Sequence, residues 1–247
     1  MNALDELKPY YESEKISIFH GDCLSVIGSI PDNSINMVIS DLPYGTTYCS
    51  WDAIIPFGLL WSHLERIVIG NSAMVFTSNQ PFTTALISSK IELFRYEWIW
   101  NKEYPGNFAN SSFQPLKQHE NIIVFSRGKP PYYPIKSHGS PNHKQGKSKT
   151  NSSETRIISK RVDDDLSGKK FPKTILNFPK HSSQCKFHPT QKPIDLLSYL
   201  IKTYTIPGDT ILDPTMGSGS SLIAAISTGR KAIGIEIDQK YCEISVN

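Results

Sequence analysis

The sequence predicts an α/β protein whose core is a mostly parallel β-sheet covered by helices on both faces. Three observations lead to this fold class. Short apolar runs with strand character alternate with stretches of helical periodicity along most of the 247 residues. That length suffices for one sizeable core with a small appended subdomain. Two loops that carry carboxylates also follow directly on predicted strands, at the edge where open α/β sheets bind ligands.

The elements of this sheet are predicted in chain order from their composition. Seven strands are expected at residues 16–20, 37–40, 73–77, 96–100, 121–125, 210–212 and 232–236. Four helices are expected at residues 57–69, 81–89, 193–204 and 219–228. The third helix is predicted to bury one stripe, because apolar residues recur there at helical spacing: Ile194, Leu197, Ile201 and Tyr204.

Residues 128–180 interrupt the alternation and divide the chain into 1–127, 128–180 and 181–247. The segment is rich in Pro, Gly, Ser, Lys and Asn, and it is too long for an ordinary loop. Twelve Lys or Arg against four Asp or Glu give it a charge of about +8, whereas the whole chain carries +3. Such a patch fits a nucleic-acid contact. Charge alone fits a solvated insertion equally well.

The bulk composition excludes several other classes of protein. No apolar stretch approaches the roughly 18 residues that span a membrane, and the N-terminus lacks the pattern of a secretion signal. The four cysteines form no CxxC pair, and His181, Cys185 and His188 do not have the spacing of a zinc site. We therefore expect a cytoplasmic protein with reduced thiols, no membrane partner and no bound metal.

The loop after strand 210–212 has the features of a nucleoside-cofactor site. Its glycines let the backbone approach a ligand, and the following helix offers a favourable dipole. The loop residues predicted to bind the cofactor are Asp213, Pro214, Gly217, Ser218 and Gly219. Glu236 ends the next strand, where a carboxylate can accept hydrogen bonds from both ribose hydroxyls.

The loop differs from the known nucleotide-binding motifs, and these differences indicate which kind of cofactor it binds. Leu222 stands where a dinucleotide fingerprint has its third glycine, and no P-loop lysine follows. Asp213 would oppose a pyrophosphate but could pair with the ammonium of a nucleoside that carries an amino acid. S-adenosylmethionine fits both ends of this predicted site.

A second motif follows strand 37–40 directly and consists of Asp41, Leu42, Pro43 and Tyr44. It resembles the Asp-Pro-Pro-Tyr motif of amino-directed DNA methyltransferases. Residues 213–220 resemble their Asp-Pro-Phe-x-Gly-Ser-Gly motif, and residues 21–24 and 187–193 look like further family segments. The resemblance covers nearly the whole chain except residues 128–180. It implies a Rossmann-like S-adenosylmethionine-dependent methyltransferase fold, circularly permuted as in the β group, with a small target-recognition insertion.

The resemblance also implies a mechanism and its residues. The Asp41 carboxylate and the Leu42 main-chain carbonyl would accept the N–H bonds of an exocyclic amine, whose nitrogen would attack the methyl group in line. The base would be flipped out of duplex DNA and would stack on Tyr44, and Pro43 would stiffen the turn. Asp at the first position favours adenine N6 over cytosine N4. Leucine replaces the family's usual proline, but it supplies the same carbonyl, so activity is expected.

Several alternatives stay open at this point. They are cytosine N4 methylation, a catalytically impaired DNA-binding homologue, and a nicotinamide-dependent dehydrogenase, which the second motif disfavours. Double-stranded DNA is the expected partner, and a homodimer and a cognate restriction endonuclease are left open. Trp98, Trp100 and Lys102 fit either the core or the site. His188 and Lys192 are expected near the cofactor, with no acid or base role assigned to either.

Overall fold

The computed structural model describes residues 8–45, 52–140, 168–179 and 191–246. The chain forms two compact units, one of residues 1–133 with 174–247 and one of residues 134–173. Much of the basic segment at 128–180 and of the family segment at 187–193 lies outside the described residues, as do His181, Cys185 and His188. The role of the basic segment as a DNA reader stays a prediction.

A mixed sheet forms the centre of the larger unit. Its described strands are β1 (Tyr11–Glu12), β2 (Ile16–His20), β3 (Ile35–Ser40), β4 (Val68–Ser78), β5 (Phe94–Gly106), β6 (Lys117–Phe125), β9 (Ile175–Asn177), β10 (Thr210–Asp213) and β11 (Lys231–Glu236). Their order across the sheet is β1-β2-β11-β10-β3-β4-β6-β5-β9. The smaller unit contains β7 (Ser137–His138) and β8 (Lys169–Lys170), which pair antiparallel.

Five adjacent strands of the sheet, β2, β11, β10, β3 and β4, run parallel. The chain leaves β3 toward β4 on one side and leaves β10 toward β11 on the other. The direction of winding therefore reverses between β3 and β10, which creates a crevice at their carboxyl ends. The hairpin of β5 and β6 extends the sheet beyond β4, with β6 antiparallel to both neighbours.

Helices cover both faces of this sheet. The described helices are α1 (Cys23–Ser29), α2 (Phe57–Ile67), α3 (Phe82–Ser89), α4 (Ile194–Tyr204), α5 (Ser220–Ser227) and α6 (Gln239–Val246). Side chains along the strands alternate between two apolar clusters: Met37 and Ile39 of β3 join one, and Ile35 and Val38 join the other. The first cluster packs against α4, α5 and α6, and the second against α1, α2 and α3.

Each predicted strand and helix corresponds to an element of the structure, with differences in length and number. β5 and β6 extend beyond the prediction through polar residues at 101–103 and 117–120, which pair in strands although they form no apolar run. β4 begins earlier than predicted because Val68 is buried in the core and pairs with Ile35 of β3. The helix α1 was not predicted, although its N-cap was readable: Asp22 Oδ1 accepts from Ser25 N at 2.9 Å. The stripe predicted for α4 is broader than expected, since Leu196 and Leu200 are buried as well.

In the smaller unit, Lys136 Nζ lies 4.4 Å from the centroid of the Phe171 ring, a cation–π contact. Among the helices of the described residues, none combines the length and the apolar character needed to cross a membrane.

Gly234 offers a test of the packing between β11 and the apolar cluster that contains Met37 and Ile39. A Cβ atom at this position would meet Met216 Sδ and would lie 2.9 Å from Leu222 Cδ2. Gly234→Ala should therefore lower the free energy of unfolding by about 1–3 kcal/mol through overpacking. Urea denaturation followed by circular dichroism measures this change.

The matched control is Gly58→Ala in α2, where an added Cβ meets nothing within 4 Å. Alanine favours a helix over glycine, so this variant should gain between zero and about 1 kcal/mol. Equal unfolding free energies for the two variants would contradict the packing described for Gly234.

Candidate active site

The two loops singled out in the sequence lie side by side at one edge of the sheet. β3 and β10 pair in parallel, with Ile211 opposite Met37 and Leu212 opposite Val38. The loops that begin at Asp41 and Asp213 therefore leave neighbouring strands in the same direction. A cavity of about 360 Å³ is lined by both loops and by Glu236 at the end of β11. Its volume lies within the range of small-molecule pockets.

Thr215 ties the two loops together. Its hydroxyl donates to the Asp41 main-chain oxygen at 3.2 Å, and its N–H donates to Asp213 Oδ1 at 3.1 Å. The hydroxyls of Ser40 and Thr215 lie 2.6 Å apart. These contacts fix the position of the first loop relative to the second.

Within the described part of the chain, three side chains donate to the Asp41 carboxylate. Oδ1 accepts from the Tyr44 hydroxyl at 2.6 Å and from the Thr77 hydroxyl at 2.5 Å. Oδ2 forms a short ion pair with Lys192 Nζ. A carboxylate with this many donors is held in one orientation, with its two oxygens in different surroundings.

The rest of the first loop packs around this carboxylate. The Leu42 side chain is buried in the cluster shared with α1, α2 and α3, which explains how leucine is accommodated in place of proline. The Tyr44 ring lies 4.9 Å from the Phe82 ring, and Pro43 and Tyr44 both line the cavity. Burial, together with the neighbouring Asp41 carboxylate, raises the pKa of the Tyr44 hydroxyl well above its usual value. Tyr44 therefore stays a neutral donor.

The glycine loop uses conformations that favour glycine. Gly217 and Gly219 have φ angles of +53° and +79°. Gly217 N donates to Glu236 Oε2 at 2.9 Å, and Asp238 N donates to Glu236 Oε1 at 2.8 Å. Each oxygen of Glu236 thus keeps acceptor capacity beyond its backbone donor. Pro214 and Ser218 line the same cavity.

Asp213 is the most buried carboxylate of the site. Oδ1 accepts from Thr215 N at 3.1 Å, and Oδ2 accepts a short hydrogen bond from the Ser221 hydroxyl. Burial raises the pKa of Asp213 to about 6, although these hydrogen bonds oppose the shift. Burial also raises the pKa of Glu236. A cationic ligand group near Asp213 would favour its ionised form.

One fully buried side-chain oxygen at the cavity has no hydrogen-bond partner among the described residues. The Ser220 hydroxyl is buried at the start of α5 and lines the cavity. Buried hydroxyls are normally hydrogen-bonded, so a bound ligand is expected to supply an acceptor for this group. An amino-acid-bearing nucleoside meets this requirement, because its carboxylate can accept from Ser220 while its ribose hydroxyls donate to Glu236. The residues present therefore fit S-adenosylmethionine.

Sequence reasoning missed part of the site. Thr77 on β4 and Glu120 on β6 come close to Asp41 only through the sheet, and no local motif marks them. Lys192 was expected near the cofactor, with no role assigned; it lines the cavity, and its ammonium contacts Asp41. Trp98 and Trp100 belong to the core: their indole N–H groups donate to the Tyr204 hydroxyl and the Phe178 main-chain oxygen.

Comparison with known proteins identifies the family. Residues 35–247 match the model of the N6/N4 DNA methylases. The DNA adenine methyltransferase YhdJ of Escherichia coli strain K12 is 27% identical over 252 residues, which cover 96% of this chain and 83% of that protein. The M1.HpyAVI–SAM complex has a TM-score of 0.61 at 20% identity and covers 94% of this chain and 98% of that one. The cytosine-N4-specific PvuII DNA methyltransferase has a TM-score of 0.66 at 18% identity, over 97% and 88% of the two chains.

These comparisons decide several of the expectations drawn from the sequence. The structural likenesses confirm the Rossmann-like α/β fold. The circular permutation stays a prediction. The family match spans most of the chain, and it confirms S-adenosylmethionine as the cofactor. The two motifs thus predicted the family correctly: the chain belongs to the N6/N4 DNA methylases.

Proposed function

We propose that this protein transfers a methyl group from S-adenosylmethionine to the N6 amine of adenine at a specific site in double-stranded DNA, in the cytoplasm. The observation that carries the proposal is that the Asp41 carboxylate and the cofactor loop line one cavity, tied together by Thr215. Cytosine N4 is the alternative acceptor. A homodimer and a cognate restriction endonuclease stay predictions.

The cofactor end of the cavity is assigned from its acceptors and donors. When bound, S-adenosylmethionine supplies a methyl group on a sulfonium, which is a good leaving group. Glu236 accepts the ribose hydroxyls, because each of its oxygens has one backbone donor and further acceptor capacity. Asp213 pairs with the ammonium, and Ser220 donates to the carboxylate.

The acceptor end orients the amine. The lone pair of an exocyclic amine is delocalised into the ring, which makes the nitrogen a poor nucleophile. Asp41 and the Leu42 carbonyl accept its two N–H bonds and favour a more tetrahedral nitrogen, whose lone pair points at the methyl carbon. The nitrogen–carbon bond forms as the carbon–sulfur bond breaks, and the extra proton leaves the nitrogen toward Asp41 or water. Positioning and electrostatics supply most of the acceleration.

Access to the amine requires the base to leave the duplex. The exocyclic amines of stacked, paired bases are blocked on the face that reacts, so the base flips into the cavity. Tyr44 lines that cavity, and its ring already packs against Phe82. A ring held on one side by another aromatic side chain is a rigid surface for stacking a base.

The choice of adenine rests on two supporting observations. Asp at the first position of the motif favours adenine in enzymes that the chain resembles. YhdJ, a relative at 27% identity, is named an adenine methyltransferase. The likeness to the cytosine-N4-specific PvuII enzyme concerns the fold alone, since the identity is 18%.

The acceptor base can be identified directly. The protein is incubated with methyl-labelled S-adenosylmethionine and mixed-sequence duplex DNA, and the DNA is then digested to nucleosides. The label should co-migrate with N6-methyldeoxyadenosine. Label in N4-methyldeoxycytidine would show that cytosine N4 is the acceptor and would contradict the assignment to adenine. Absence of label with any DNA would favour the binding-only homologue.

Replacing Asp41 separates the two ends of the site. Asp41→Ala should lower the single-turnover rate of methyl transfer by about 100-fold or more, because it removes a preorganised acceptor. The dissociation constant for S-adenosylmethionine, measured by calorimetry, should stay within about threefold because the cofactor contacts lie on the other loop. Asp32→Ala, which removes a surface partner of Arg66, serves as the matched control. A loss of cofactor affinity in Asp41→Ala would mean that the loop of Asp41, assigned here to the acceptor base, binds the cofactor instead.

The buried Asp213 predicts how cofactor binding depends on pH. Its pKa lies at about 6 in the free protein, and pairing with an ammonium requires the ionised form. Affinity for S-adenosylmethionine should therefore be constant near pH 7 and fall as pH drops through 6, by about tenfold per pH unit at the acid end. Calorimetry between pH 5 and 7 measures the dependence.

Asp213→Asn should bind the cofactor more weakly at pH 7 and should lose this pH dependence. Asp209→Asn is the control, since Asp209 lies before β10, at the opposite end of the strand, and accepts from Ile206 N. A wild-type affinity that does not change across pH 6 would show that Asp213 does not pair with the ammonium.

A further inference from the structure

Four charged side chains form a continuous row that ends at the acceptor carboxylate. Lys102 on β5 pairs with Oε1 of Glu120 on β6, and Oε2 of Glu120 lies 3.5 Å from Lys192 Nζ. Lys192 pairs in turn with Asp41 Oδ2. The charges alternate along the row and sum to zero. Four separate segments of the chain contribute one member each, so the row exists only in the folded protein.

The middle of this row is buried, which makes its pairing obligatory. Lys192 and Glu120 are 9% and 8% exposed. Burial lowers the pKa of Lys192, but the carboxylates of Asp41 and Glu120 raise it by more. Burial raises the pKa of Glu120, but the two lysines lower it by more. Removing one member of such a row leaves an uncompensated buried charge on its neighbour.

Counting acceptor positions shows which oxygen of Asp41 can receive the amine. A carboxylate offers about four lone-pair positions, two on each oxygen. Tyr44 and Thr77 both donate to Oδ1 and fill its two positions. Lys192 occupies one position on Oδ2, and no other residue in the described part of the chain donates to that oxygen. Of the two Asp41 oxygens, Oδ2 is therefore the one with a position for the amine of a target base, beside the ammonium.

We propose that Lys192 is a positioning residue, which holds Asp41 Oδ2 in place for the target amine, and that Glu120 in turn holds Lys192. The proposal rests on the proposed function, because it concerns the same acceptor carboxylate. Lys192 does not exchange a proton with the substrate. It supplies a fixed positive charge and one hydrogen bond, which keep Oδ2 oriented and leave its second acceptor position directed to the incoming N–H.

The kinetic arm of the test compares Lys192→Met, Lys192→Arg and wild type in single-turnover methyl transfer. Loss of the charge should lower the transfer rate by about 100-fold while the dissociation constant for S-adenosylmethionine stays nearly unchanged. Arginine keeps the charge but not the shape of the ammonium, so Lys192→Arg should fall between the two. Glu120→Gln should lower the rate by about tenfold through Lys192.

The matched control is Lys90→Met. Lys90 also bridges two carboxylates, Glu65 and Glu92, but it lies at the end of α3 and outside the cavity lining. Its replacement should leave the transfer rate unchanged. A Lys192→Met variant that transfers methyl groups at the wild-type rate would overturn the proposal and leave the proposed function standing.

A second arm does not depend on activity. Lysine acetylation by acetic anhydride, followed residue by residue with mass spectrometry across pH 8–11, reports when each ammonium loses its proton. In Glu120→Gln and Asp41→Asn the midpoint for Lys192 should fall by about one pH unit relative to wild type, because one counter-charge is gone. Lys90 in the same samples is the internal reference. Besides its four members, the titratable groups of the described residues that act on the row are Tyr44, Lys117 and Asp213.

The two arms separate the possible failures. If wild-type protein transfers no methyl group to DNA, the proposed function fails, and the labelling result still decides whether the two carboxylates hold Lys192. An unchanged midpoint for Lys192 in both variants would overturn the proposal whatever the activity. The proposal is supported if the acetylation midpoint of Lys192 falls in Glu120→Gln and Asp41→Asn and if Lys192→Met transfers methyl groups more slowly than wild type.

Discussion

The parallel pairing of β3 with β10 is the constraint on which the site depends. These strands are far apart in sequence, and their pairing brings the loops after Ser40 and Asp213 to one edge of the sheet. Thr215 fixes the position of one loop relative to the other, because it donates to the Asp41 main-chain oxygen in the first loop and to Asp213 Oδ1 beside it. A register shift of one residue would turn the side chains of these strands to opposite faces and separate the two ends of the cavity.

Charge burial is the second theme of the structure. At the cofactor end, Asp213 and Glu236 are buried carboxylates without a cationic side chain as a hydrogen-bond partner among the described residues, and burial raises the pKa of both. At the acceptor end, Asp41 has a lysine partner, which Glu120 holds. The two ends of the cavity therefore favour different ligand groups. The carboxylates at the cofactor end favour a cationic group, whereas the charge of Asp41 is already balanced by Lys192, so the acceptor end favours a neutral hydrogen-bond donor.

The elements that sequence patterns predicted well are those with a local signal. The buried strands β2, β3 and β11 and the amphipathic helix α4 show apolar runs or helical spacing. The two loop motifs follow strands whose central residues are apolar. Thr77, Glu120 and Lys192 could not be assigned in this way. Their roles arise from strand order and register, since Glu120 faces Lys192 only because β6 pairs beyond β4. The polar extensions of β5 and β6 were missed because they pair in strands without an apolar face.

The most direct measurement of the central claim is a crystal structure of the protein with S-adenosylhomocysteine and a duplex that contains its target site. The account predicts a flipped base whose exocyclic nitrogen lies within hydrogen-bond distance of Asp41 Oδ2, together with ribose hydroxyls on Glu236. Lys192 should remain paired with the same carboxylate. A flipped base whose amine contacts neither Asp41 nor the Leu42 carbonyl, or a nucleoside that avoids Glu236, would contradict it.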